Sequence, residues 1–116
     1  MPPRLRPSPL GEFELLVLLA TMSLGDTAYP VSIAADIARR TGRQASRTSV
    51  LITLERLEDK DLVTSRYGDP TPQRGGRAKR YFTLTAAGHQ ALHSSRTALL
   101  SMWANVAHRI RSKARP

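Results

Sequence analysis

The sequence contains no cysteine. This absence removes disulfides, a thiolate nucleophile and any cysteine-ligated zinc, and it fits a reducing cytoplasm. No acidic residue follows Asp69, yet Arg74, Arg77, Lys79, Arg80, Arg96, Arg109, Arg111, Lys113 and Arg115 do, half of the 18 basic residues. No apolar run reaches the roughly 18 residues of a membrane-spanning helix, so membrane insertion is not expected. The N-terminal segment lacks the charged-then-apolar order of a secretory leader, because Pro2, Pro3, Pro7 and Pro9 interrupt it.

Catalytic constellations are equally scarce. The phosphate-cradling pattern G-x-x-x-x-G-K does not occur. His89 and His93 stand four apart on one helix face, a spacing that can hold zinc, but a site needs a third ligand. No carboxylate or cysteine lies beyond Asp69 to supply it. Glu55, Glu58, Asp59 and Asp61 cluster around a helix end without a paired histidine or nucleophile, and read as solvating charges. Neither enzymatic activity, a metal nor a cofactor is expected.

What the chain does have is positive charge. A formal net charge of +9 and a pI near 11.3 point to a polyanionic partner, either nucleic acid or an anionic membrane surface. With 116 residues the chain is expected to form one small domain. A hydrophobic content of 41% supports a core of modest size, which oligomerisation would supplement.

The organising stretch is Ala45 to Val63. Ser46 can cap a helix with its hydroxyl. Val50, Leu54 and Leu57 then recur at helical period with Leu51 beside them. The other side is read as Thr48, Ser49, Ile52, Thr53 and Arg56. Short hydroxyls near a helix N-terminus suit close approach to a phosphate or a base-pair edge.

The remaining elements follow from local signals. Residues 1–9 are expected to be a flexible basic arm carrying Arg4 and Arg6. Leu10 to Leu24 reads as a helix, with Phe13, Leu16, Val17 and Ala20 in one stripe. Leu15, Leu18, Leu19 and Met22 spread apolar surface around it, which suggests contact with a second subunit as well. Gly25 ends this helix. Asp26 to Pro30 reads as a turn in which Pro30 can start the next helix, and Val31 to Thr41 reads as a short helix stopped by Gly42. Ile33 and Ile37, with Ala34 or Ala38, are expected to face inward. Only three residues then separate Gly42 from the Ser46 cap, which makes a helix-turn-helix.

Strands are expected over Val63 to Tyr67 and Lys79 to Leu84, joined by the loop GDPTPQRGG. The loop carries Arg74 and Arg77 beside glycines, where backbone can approach a partner closely. Thr85 caps a last helix running from about Ala86 to Arg111. In it, Leu92, Arg96, Leu99, Trp103, Val106 and Ile110 alternate spacings of four and three, a heptad-like seam. A helix of that length spans roughly 40 Å, more than one small domain needs, so it is expected to pair with another subunit.

Three helices, a strand, a basic wing, a strand and a long helix make a winged-helix arrangement. At this point the sequence resembles the PadR-like transcriptional regulators over roughly Gly11 to Leu92. Their run S-x-G-S-L-Y-P-x-L-x-R-L-E is similar to the segment from Ser46 to Glu58, with Ser46, Ser49, Leu54, Arg56, Leu57 and Glu58 matching. Their wing end G-R-x-R-R-Y-Y-x-L-T-x-x-G is similar to the segment from Gly76 to Gly88. Gly25 and Tyr29 echo their Gly-x-x-Tyr turn with one extra residue. The chain departs at Leu51 and Ile52, where the family has Tyr-Pro, and at Thr48, where it has Gly. A base preference tied to that tyrosine does not carry over. The resemblance implies a dimeric DNA-binding repressor whose C-terminal helix makes the dimer. Some such regulators bind flat hydrophobic compounds between those helices, which makes a small hydrophobic effector a candidate partner, stacked on Trp103.

The expected fold is mainly α with a small β-hairpin. It comprises the arm at 1–9, a winged-helix domain at 10–84 and a C-terminal dimerisation helix with a basic tail at 85–116. Arg47, Thr48, Ser49, Ile52, Thr53 and Arg56 are expected in the major groove of double-stranded DNA, with Ile52 on a thymine methyl. Arg74, Arg77, Lys79 and Arg80 are expected on phosphates or in a minor groove. Leu92, Leu99, Trp103, Val106 and Ile110 are the expected homodimer seam. The alternative is a protein-interaction module whose basic face docks an acidic protein.

Overall fold

The computed structural model describes residues 10–69 and 78–114. The basic arm and the tip of the wing, with Arg74 and Arg77, lie outside the described residues. Helix α1 spans Glu12–Leu24, and Glu14 caps it by accepting the Gly11 N–H at 2.9 Å. Val17, Leu18, Ala20 and Thr21 are buried, while Leu19 and Met22 stay exposed. The chain's own core therefore covers only part of the broad apolar surface of α1. Gly25, at φ 58°, ends the helix.

Helix α2, Pro30–Thr41, starts on proline and is braced by Ser32, whose hydroxyl accepts the Tyr29 N–H at 3.0 Å. Its buried side chains are Ile33, Ile37 and, unexpectedly, Asp36; Ala34 is half-buried and Ala38 exposed. Gly42 adopts the left-handed conformation at φ 75° that the helix end requires. Helix α3, Arg47–Asp59, begins as its sequence dictates, with the Ser46 hydroxyl accepting the Ser49 N–H at 3.0 Å. Val50, Leu54 and Leu57 are fully buried, each contributing on the order of 1.5–3 kcal/mol of transfer free energy.

Helix α3 ends without a glycine. Asp61 takes φ 61°. The Leu62 N–H reaches the Leu57 carbonyl and the Asp61 N–H the Glu58 carbonyl, each at 2.9 Å. This is a Schellman end with aspartate in the left-handed position.

Strands β1, Val63–Tyr67, and β2, Arg80–Leu84, pair antiparallel with Val63 opposite Leu84 and Tyr67 opposite Arg80. Side chains alternate across the hairpin. Val63, Phe82 and Leu84 face the core, and parity puts Ser65 and Arg80 on that same face. Arg66 and Tyr81 share the other. The Phe82 N–H also donates to the Ala28 carbonyl at 2.9 Å, so the turn before α2 is stitched to the hairpin. Thr85 caps helix α4, Ala86–Ala114, by accepting the Gly88 N–H at 3.0 Å and anchors it by donating to the Asp61 carbonyl at 2.6 Å.

One seam residue is corrected. Leu92 is buried in the chain's own core, because the first two turns of α4 lie over the hairpin and α1. Beyond it the helix leaves the domain: Leu99, Trp103, Val106 and Ile110 are all exposed.

Asp36 carries a pH signature. Burial pushes its carboxyl pKa up, but hydrogen bonds and charge from Arg40 and Arg39 outweigh burial and hold it below its ordinary value. Glu14 moves the same way; burial again raises it, and the Gly11 N–H and Lys60 more than compensate. A carboxylate with a depressed folded pKa stabilises above its unfolded pKa and loses that contribution as pH falls through the folded one. Stability is therefore expected to drop below about pH 4. Thermal melts at stepped pH should show a shallower acid slope for Asp36→Asn than for the wild type; equal slopes would remove Asp36 from the acid response.

Candidate nucleic-acid interface

The exposed side of α3 divides along its length. Arg47, Thr48, Ser49 and Ile52 occupy the N-terminal half in the open, with Arg56 one turn further. Ile52 is 52% exposed, on the side of the helix away from the buried Val50, Leu54 and Leu57. Acidic Glu55 and Asp59 lie toward the C-terminal end. A helix graded in this way presents hydroxyls, a cation and an aliphatic methyl from its N-terminal end, the end that recognition helices insert. The Ser49 and Ser46 hydroxyls are 2.6 Å apart, so the cap also orients a candidate reader.

Two expected contact residues sit elsewhere. Thr53 is only 5% exposed. It lies about 60° from Val50 and about 40° from Leu57 around the helix, at about 100° per residue, so it flanks the buried stripe. It is a core residue and cannot read a base. Arg80 shares the inward parity of Phe82 and Leu84. Its guanidinium donates to Glu58 at 2.7 Å, lies 3.5 Å from Glu55, and donates through Nε to Ser65 at 3.2 Å. Its charge is engaged within the protein, so it is not available as a phosphate contact in this arrangement.

Lys79 is exposed on the outward side, and there the hairpin holds a group that sequence reasoning did not assign. The Lys79 ammonium lies 4.5 Å from the Tyr29 ring centroid, and the Arg66 guanidinium lies 4.8 Å from that of Tyr81. The two tyrosines meet edge to face at 5.6 Å. Two cations are thus fixed over two rings beside the N-terminus of α2, whose dipole adds to their field. Strand parity with Tyr81 was the signal that could have found Arg66.

Other arginines near the turn are partly neutralised. Arg39 and Arg40 both pair with buried Asp36, and Arg43 pairs with Glu12. Between α1 and α4, Leu10, Leu15, Leu16, Leu99 and Trp103, with Thr41 and Arg43 at the joint between α2 and α3, line an open, mainly apolar groove of about 1480 Å³. Among the described residues, no three His, Asp or Glu side chains converge to hold a metal, and no helix is long and apolar enough to cross a membrane.

A short-jointed helix pair, a third helix with an exposed N-terminal half and a hairpin bearing outward cations define a winged helix-turn-helix protein. The family model described as the transcriptional regulator PadR-like family matches residues 18–94, and the chain belongs to that family. Solved structures agree on the fold. A PadR family transcription regulator from Clostridium difficile superposes with a TM-score of 0.71 at 21% identity, over 86% of this chain and 99% of that one. A PadR-like transcription factor from Bacteroides fragilis gives 0.68 at 20% identity, over 83% and 87%. A PadR family transcriptional regulator from Eggerthella lenta gives 0.65 at 20% identity, over 85% and 86%. No curated protein matches the sequence.

Proposed function

We propose that this PadR-like regulator is a homodimeric, sequence-specific DNA-binding repressor. The observation that carries the reading is the exposed N-terminal half of α3. Arg47, Thr48, Ser49, Ile52 and Arg56 stand outward on a helix fixed by Val50, Leu54 and Leu57. In this reading α3 enters the major groove, Arg56 and the hydroxyls meet base edges, and Ile52 packs on a thymine methyl. Lys79 and Arg66, with Arg74 and Arg77, hold the backbone or a minor groove. The exposed part of α4 pairs with its counterpart from a second subunit, through Leu99, Trp103, Val106 and Ile110, and covers the apolar groove beside α1.

Phosphate contacts set affinity, and base contacts set discrimination. Ser49→Ala or Arg56→Ala is therefore expected to cost about 1–3 kcal/mol on the preferred duplex and far less on a scrambled one. Arg74→Ala with Arg77→Ala should weaken both duplexes about equally and flatten the salt dependence by about two units of slope. Binding titrations at several salt concentrations, on both duplexes, measure this. If the wing variant lost discrimination and the helix variants kept it, the two roles would be exchanged. Weak, sequence-indifferent binding by the unmodified protein would favour the acidic-protein partner instead.

A further inference from the structure

We infer that Arg80 is a positioning residue for DNA recognition: it locks the wing to the recognition helix, so that the two elements meet the duplex in one fixed relation. The inference rests on the reading that α3 and the hairpin both contact DNA.

Arg80 lies at the start of β2, next to Lys79 and three residues after Arg77, so it guards the base of the wing. Its side chain is only 24% exposed. It bridges three elements at once. Two of its nitrogens face carboxylates of α3, with Nη2 at 2.7 Å from Glu58 Oε1 and Nη1 at 3.5 Å from Glu55 Oε2. Nε donates to Ser65 Oγ of β1 at 3.2 Å. Ser65 Oγ then donates to the second oxygen of Glu58 at 2.8 Å, so both oxygens of that carboxylate are engaged. The guanidinium also lies 5.0 Å from the centroid of the buried Phe82 ring, which fixes its height above the core.

A planar fork with directional donors restrains an angle, whereas a lysine at the same place would be a point charge. The same fork faces Glu55 and Glu58, which stand three residues apart on α3. Without it, α3 and the hairpin would remain joined through Val63 and Phe82 but would be able to tilt against each other. Tilting spreads the reader side chains over several registers while leaving backbone contacts able to adapt. The expected loss is therefore in discrimination more than in affinity.

The test uses the full chain and the duplex it selects from a randomised library, with a scrambled duplex as reference. Arg80→Glu should lower the preferred-to-scrambled binding ratio by about tenfold, and adding Glu58→Arg to it should restore the ratio to within about threefold. Glu58→Arg alone should also lower the ratio. A phosphate-contacting Arg80 gives the opposite pattern: Glu58→Arg alone tightens both duplexes, and the swap restores nothing. That pattern would overturn the inference, as would an Arg80→Glu variant with an unchanged ratio. Should the charge-reversed variants fail to fold by circular dichroism, Arg80→Gln and Glu58→Gln replace them. The double variant should then lose no more discrimination than either single one, and additive losses would count against the coupling. A wild-type protein that selects no duplex at all would instead remove the DNA reading itself.

Discussion

Exchanging Leu99 and Trp103 together for glutamate is expected to give a monomer whose affinity for its preferred duplex falls by about two orders of magnitude or more. Leu99 and Trp103 are 45% and 59% exposed, on a helix where Val106 and Ile110 are also open at 45% and 57%. Four large apolar side chains along one rod are costly to leave in water, at about 25 cal/mol per Å². In a two-fold interface each substitution enters twice, so four carboxylates would have to be desolvated against one another. A dimer gains by tethering its second reading head at high effective concentration, and the monomer forfeits that gain. Leu92 is left in place, so the winged domain should keep its helical circular dichroism. Sedimentation equilibrium that still gave a dimer for the double variant would refute the assigned seam.

Gly88→Ala is expected to destabilise the fold by about 3 kcal/mol or more, a reversal of the usual gain of about 1 kcal/mol for this exchange inside a helix. A methyl group at Gly88 would sit 2.1 Å from the Leu62 carbonyl oxygen and 3.2 Å from its carbon. Both are backbone atoms and cannot swing aside. That oxygen already accepts the Thr85 N–H at 3.0 Å. Relief would require the first turn of α4 to lift from the end of α3, breaking the Thr85 bonds to the Leu62 and Asp61 carbonyls. Urea unfolding followed by circular dichroism gives the difference directly. An alanine variant as stable as the wild type would mean that α4 does not seat this closely on Leu62.

The elements were legible where a local signal had no competitor. Ser46, Gly42, Gly25, Pro30 and Thr85 mark helix ends by chemistry that acts within a few residues, and each performs that part. The apolar stripe Val50, Leu54 and Leu57 was equally plain. Thr53 departs from its expected place because a hydroxyl is no sign of exposure; the helical angle, which puts it beside Val50, decides instead. Arg80 stands beside Arg77 and Lys79 in the sequence, but its parity with Phe82 and Leu84 turns it inward. Its partners, Glu58 and Ser65, lie in other elements and only the folded topology brings them near. Leu92 fits the seam spacing, yet its burial depends on where the hairpin ends relative to α4. The end of α3 carried no glycine to announce a left-handed residue, and Asp61 takes that role through the Leu57 and Glu58 carbonyls. Buried Asp36 is not legible, because its compensation comes from Arg39 and Arg40 on the next turn, and only the folded helix shows that both guanidiniums turn to it.

Helix α4 runs without interruption from the Thr85 anchor through the core residue Leu92 to the exposed stretch around Trp103. Its first turn is fastened to the end of α3 by the Thr85 bond to Asp61. In the proposed dimer it would therefore be a lever arm with the winged domain fixed to its short end. Any small change in how two such arms cross would be magnified at the heads, altering the distance between them. DNA offers half-sites only at about one helical turn, near 34 Å, or multiples of it. A compound lodged between the arms would need no contact with α3 to release the operator: it would only have to spoil that spacing.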